Sequence, residues 1–106
     1  MIANKIMKNN MVNLDARFDA RKSFYGKAKI ERADKVIKLY SYNRFVAYAV
    51  IGENGKFEIY TEEGNWIGCE KACKSSYSQT TTRHIKEFFK QFNNEYAGYA
   101  ELYYGI

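Results

Sequence analysis

Apolar and polar positions alternate with a period of two from about residue 28 to residue 67, and the period becomes helical after residue 80. Ala28 to Arg32 reads as a first strand, Ala33-Asp34 as a turn, and Val36 to Tyr42 as a second strand with Ile37 and Leu39 on one face. Phe45 to Ile51 is apolar on both faces, which predicts a central strand. Asn54-Gly55 then marks a hairpin, because both residue types tolerate positive φ. Lys56 to Thr61 is the returning strand, Glu62 to Asn65 another turn, and Trp66-Ile67 the start of a short fifth strand. Ile85, Phe88, Phe89 and Phe92 fall at i, i+3, i+4 and i+7 and form one apolar stripe, with Arg83, Lys86, Glu87 and Lys90 on the other sides. Thr80-Thr81-Thr82 offers an N-cap hydroxyl to that helix, and Asn93-Asn94 suits its end. The pattern predicts an α+β fold: an antiparallel meander of four or five strands with one main helix, about 80–92, packed on one face. A short C-terminal element completes it, for which Tyr96, Tyr99 and Tyr103 favour a helix while Gly98 also allows a strand.

Residues 1–16 are polar and poor in rings, which suggests a flexible N-terminal arm before a single domain over 17–106. The chain of 106 residues holds enough apolar material, 46%, for one core, and has no proline. Its longest apolar run, Phe45 to Ile51, is strand-length and far short of the roughly 20 residues of a membrane span. Met1 to Asn10 carries no continuous apolar region of the secretory kind. The expectation is a cytoplasmic protein with no membrane partner, in which Cys69 and Cys73 are reduced thiols.

Catalytic chemistry finds little support. His84 is the single histidine. It would serve as a base or ligand in an active site, but a lone histidine at the edge of an apolar stripe, over Phe88 and bonded to backbone, is the more ordinary reading. Cys69, Cys73 and His84 supply three soft ligands at a spacing unlike the common zinc sites, so neither metal nor cofactor is expected. Asp15, Asp19, Asp34, Glu58 and Glu87 are scattered, and no phosphate-cradling glycine loop is present. The chain is therefore read as a non-enzyme.

The formal charge of +5 points toward polyanionic partners. Arg17, Arg21, Lys22, Lys27 and Lys29 interleave with Phe18, Phe24 and Tyr25. Cations among rings are how proteins hold single-stranded nucleic acid, although the same rings also serve as core. Arg83, Lys86 and Lys90 add a second basic surface, and Thr80 to His84 combines hydroxyls, amides and cations at a helix start, a workable anion site as well as an ordinary cap. The candidate binding residues are Arg17, Arg21, Lys22, Tyr25, Lys27, Arg83, His84, Lys86 and Lys90. Ten tyrosines exceed the needs of a core this size, which favours some at a contact surface.

Arg21 to Ala28, Leu39 to Asn43 with Val46-Ala47, and Tyr77 to Phe88 together resemble a small domain family of unknown function spread among phages and mobile elements of Gram-positive bacteria. The resemblance implies no established activity and carries over no site residue. It implies a setting in which small accessory proteins bind host machinery. The expected function is steric inhibition of a host nucleoprotein enzyme, such as a CRISPR effector, in the manner of an anti-CRISPR. The alternative is direct binding of DNA or RNA through the basic–aromatic surface.

Overall fold

The structure is a computed structural model that describes residues 11–74, 76 and 78–106. It is α+β, with an antiparallel sheet in simple chain order: β1 (Met11–Asn13), β2 (Ala28–Ala33), β3 (Val36–Ser41), β4 (Arg44–Ile51), β5 (Phe57–Thr61) and β6 (Trp66–Ile67). The sheet has six strands, where the sequence pattern predicts four or five. The additional strand is β1, inside the stretch read as a flexible arm. Residues 1–10 of that stretch lie outside the described residues. Residues 11–13 pair with β2, Val12 opposite Ile30, and the Leu14 amide donates to the Ala28 carbonyl at 2.9 Å. Leu14 is buried in the core. Three residues with one inward side chain give too short an alternation to read as a strand. The pairing is made by β2, whose edge would otherwise stay open.

Register explains which side chains meet. Ile37, Ala49, Ile59 and Ile67 lie opposite one another across β3 to β6, and all are buried. A bulge in the β3–β4 pairing sets Tyr40 opposite Phe45 but Leu39 opposite Ala47. The extra residue, Val46, turns inward beside Ala47, and both are buried. Phe45 and Tyr48 thereby share the outward face, where Tyr40, Phe45, Tyr48 and Tyr60 form a chain of rings with successive centroids 6.0, 6.0 and 5.4 Å apart. The central position predicted for the Phe45–Ile51 run comes from strands on both sides of β4.

Helix α1 (Gln79–Phe92) covers the inner face. Ile85, Phe88, Phe89 and Phe92 are all buried, as the stripe predicts. Full burial of one such ring stabilises the fold by about 1.5–3 kcal/mol. Phe92 meets Phe57 edge-on at 5.3 Å and Phe88 at 4.9 Å. Two readings of the helix need correction. Its N-cap is Ser78, whose Oγ accepts from the Thr81 amide at 3.0 Å, so the threonine run is helical. Glu87, read as a solvent-side charge, is buried. Its carboxylate accepts from the amides of Arg17 (3.0 Å) and Phe18 (2.9 Å) and from Gln91 Nε2 (2.5 Å). Position 87 lies one step beside the phenylalanine stripe, where segment 17–18 closes over the helix.

The chain after α1 returns to the sheet. The Phe57 amide donates to the Glu95 carbonyl and the Ala97 amide to that of Gly55. A π-helical turn, Ala100–Tyr104, ends at Gly105 in the left-handed region, φ 77°. Tyr99 and Tyr103 stack at 5.6 Å, as helical spacing predicts, whereas Tyr96 sits in the bridge to Lys56. Among the described residues, no helix is long and apolar enough to cross a membrane.

Candidate binding pocket at the helix start

The β3–β4 hairpin turns on Tyr42 and Asn43, both at positive φ (52° and 67°). The strand pattern in the sequence extends to Tyr42, but Tyr42 belongs to this turn. At Asn54-Gly55, the stronger turn signal, only Gly55 adopts positive φ (82°), while the Asn54 side chain accepts the Lys56 amide at 3.0 Å. The Tyr42–Asn43 turn projects the Tyr42 ring across the start of α1. The loop before β2 reaches the same place and is also strained: Tyr25 has φ 54° and is followed by Gly26 at 73°. The other positive-φ residues apart from glycine are Asp34, Asn43 and Asn94, types that enter this region readily.

These elements enclose a cavity of about 180 Å³ lined by Arg21, Ser23, Phe24, Tyr25, Lys27, Tyr42, Thr80, Arg83 and His84. Phe24 is buried and stands 4.5 Å from the His84 ring, centroid to centroid. Tyr42 stacks on His84 at 5.8 Å. Tyr25 is 79% exposed and Tyr42 52%, so both rings stand at the mouth. Arg21 and Lys27 are exposed at the rim. Arg83 is held by Asp19 through two bonds, Nη2 to Oδ1 at 2.5 Å and Nε to Oδ2 at 3.2 Å. Burial alone would raise the Asp19 carboxyl, but the bonds from Arg83 and from the Arg21 amide outweigh it and hold the group below its ordinary range.

His84 is 1% exposed and bonds side chains rather than the backbone its sequence position suggested. Its Nδ1 lies 2.8 Å from Ser41 Oγ, which lies 3.0 Å from Thr81 Oγ1. Ser78 Oγ in turn donates to Thr81 Oγ1 at 3.1 Å. Burial pushes the imidazole down to about 4, against the raising effect of Asp19, so the ring is neutral at pH 7. Its Nε2 is the buried side-chain polar atom without a hydrogen-bond partner among the described residues.

Five of the residues read from sequence thus meet here: Arg21, Tyr25, Lys27, Arg83 and His84. The others do not. Lys22 lines an adjoining cleft beside Asn13 and Leu14. Arg17 belongs to the tail contact: its Nη1 donates to Tyr99 Oη at 2.7 Å and its guanidinium lies 4.5 Å from the Tyr103 ring centre. Lys90 pairs with Glu70 at 3.0 Å on a short 3-10 turn, Glu70–Ala72, and neither it nor Lys86 lines the pocket. Sequence reasoning missed Tyr42, Ser41 and Asp19. The signal for Tyr42 was the short polar break between two strand patterns. A wider depression around Gly52 to Asn54 contains Glu53 and Glu58 and no ring, which suits an anion poorly.

No group of three metal-ligating side chains is assembled among the described residues. Cys69 is exposed, and Cys73 is buried with its thiol pushed up to about 12 by desolvation.

The fold and the pocket define a small α+β domain built around one meandering sheet, with a basic, ring-lined cavity at the start of its only long helix among the described residues. The chain belongs to a family of unknown function, DUF8033, whose model matches residues 12–102. That span takes in β1 from Val12, strands β2 to β6, α1 and most of the tail turn. No curated protein and no solved structure matched the chain.

Proposed function

We propose that this protein acts by binding rather than catalysis, and that its ligand is single-stranded nucleic acid held at the pocket and its rim. One observation carries the reading. Tyr25 and Tyr42 are held at positive φ, where a bulky side chain is strained, and both rings stand exposed beside Arg21 and Lys27. Strain of this kind costs about 1–3 kcal/mol, persists only where the surrounding structure over-determines it, and clusters at functional sites. Exposed rings give stacking surfaces for bases, and neighbouring cations give contacts for phosphates. The positive end of the α1 dipole adds to the same field.

The test is binding of labelled DNA and RNA oligonucleotides across a salt series. Arg21→Ala with Lys27→Ala should weaken binding of all sequences and lower the salt slope by about two, near one per lost phosphate contact. Absence of salt-dependent binding by the wild-type chain overturns the reading.

A second reading is docking on a host nucleic-acid enzyme, such as a CRISPR effector, as a steric inhibitor. It rests on the setting that the resemblance to a family of phages and mobile elements implies, an analogy of setting and not of residues. The exposure of two large apolar side chains away from the pocket, Trp66 on β6 and Leu102 in the tail turn, favours it. Capture of one defined enzyme from nuclease-treated host lysate, lost in Trp66→Ala or Leu102→Ala, would favour this reading over the first. Capture abolished by nuclease would count against it.

A further inference from the structure

The hydrogen-bond chain behind His84 bears on which of its nitrogens carries the proton. Ser78 Oγ accepts the Thr81 amide and gives its own proton to Thr81 Oγ1. The Thr81–Ser41 and Ser41–His84 contacts admit either atom as donor; continued in the sense that Ser78 sets, Thr81 donates to Ser41 Oγ and Ser41 to His84 Nδ1. Nδ1 is thus an acceptor, and a neutral imidazole with an accepting Nδ1 carries its proton on Nε2. His84 lines the pocket and Ser41 does not. On this assignment Nε2 is a donor, buried and without a partner among the described residues. Leaving a buried polar atom unmatched is costly, and the rings of Phe24 and Tyr42 flank His84 here.

We infer that this pocket is a subsite for one unstacked nucleotide, its base lying among Tyr42, Phe24 and Tyr25 with an acceptor on His84 Nε2–H, and its phosphate at Arg21 and Lys27. The inference rests on the nucleic-acid reading and deepens it: the rim binds any strand, and the floor senses whether a base is present. The chemistry follows from the lining. A cavity of about 180 Å³ is the size of a single aromatic ring system and is too small for a folded partner. Every nucleobase carries a carbonyl or ring-nitrogen acceptor, so a lone donor recognises a base without demanding one identity. Tyr42 stacks over the His84 ring. It is half exposed and sits in a two-residue turn, so its ring can swing aside and restack on the incoming base.

Two measurements test this. The first compares a short oligothymidylate with the same strand carrying a single abasic position, for wild type and for His84→Phe. Phenylalanine keeps a buried ring and removes the donor. The intact strand should bind wild type about five- to tenfold more tightly than the abasic strand, and His84→Phe should shrink that preference to about twofold with the salt slope unchanged. An unchanged preference in a folded His84→Phe, or none in wild type, overturns the base subsite while leaving salt-dependent strand binding standing. The second measurement uses the wild-type chain alone and covers the case in which the variant fails to fold. The ¹⁵N signals of His84 should report a protonated Nε2 and an unprotonated Nδ1 at pH 7, and the Nε2–H signal should move on adding thymidine monophosphate or the oligonucleotide. A shift with the mononucleotide shows that a free nucleotide suffices, and a shift with the oligonucleotide only makes the strand the source. A protonated Nδ1, or no shift with either, overturns the inference. Binding of the mononucleotide without any strand binding would uphold the subsite and overturn the broader reading.

Discussion

The two halves of α1 both pack against the same sheet, yet they do opposite things. The C-terminal half packs Phe88, Phe89 and Phe92 into a dry cluster closed by Phe57, Tyr99 and Tyr104. The N-terminal half buries Thr81 and His84 against Ser41, covers them with the half-exposed ring of Tyr42, and leaves a cavity. Between them, Glu87 ties segment 17–18 to the helix. An apolar stripe satisfies itself by packing. A polar buried cluster must be satisfied bond by bond, and here one donor remains over. The difference teaches where stability ends and a ligand site begins along a single helix.

Removing a ring from the closed half should have the largest effect. Phe88→Ala should destabilise the domain by about 3–5 kcal/mol, read by chemical denaturation, because Phe88 is fully buried. A loss below about 1 kcal/mol would contradict the contrast between a packed and an open half.

Acid should act through the open half. The folded His84 titrates near 4 and the unfolded residue near 6.5. Above 6.5 neither state holds the proton, and stability does not depend on this group. Between 6.5 and 4 the unfolded chain takes up a proton that the folded chain refuses, so stability falls with falling pH, by up to about 3 kcal/mol at roughly 1.4 kcal/mol per unit. Denaturation midpoints for wild type and His84→Phe across this window should diverge. Parallel curves would show that His84 is not buried neutral.

A smaller and opposite change sharpens the contrast. Tyr25 is strained and mostly exposed, so Tyr25→Asn should raise stability by about 1 kcal/mol or less, since asparagine tolerates the left-handed region. The same variant should weaken oligonucleotide binding several-fold. A loss of stability would mean that the ring packs, and that strain does not mark a binding residue.

The smallest effect belongs to the cations outside both halves. Lys86→Ala with Lys90→Ala removes one exposed pair, Lys90 with Glu70, and should cost no more than about 1 kcal/mol and leave oligonucleotide affinity nearly intact. A large loss of affinity would move the binding surface away from the pocket.

The sequence by itself determined the elements whose signal repeats along the chain. Strands β2, β3 and β5 show period-two alternation, β4 an unbroken apolar run, and the Ile85–Phe92 stripe period 3.6, so all are written in local spacing. The cation–ring segment 21–27 was equally legible, because its composition is contiguous. Tertiary structure alone decided what depends on residues far apart in sequence. Strand β1 exists because β2 offers it an edge. Glu87 is buried because segment 17–18 brings two amides to it, and nothing at position 87 announces them. Arg17 left the basic surface because tail tyrosines 82 and more positions away hold it. Ser41, Tyr42, Thr81 and His84 became one site because a two-residue turn sets β3 against the helix start, a closure across some 40 residues that leaves no periodic trace. Local spacing encodes which face of an element is apolar. Which polar groups meet across that face is decided only when the chain closes, since each needs a partner that the sheet register brings to it.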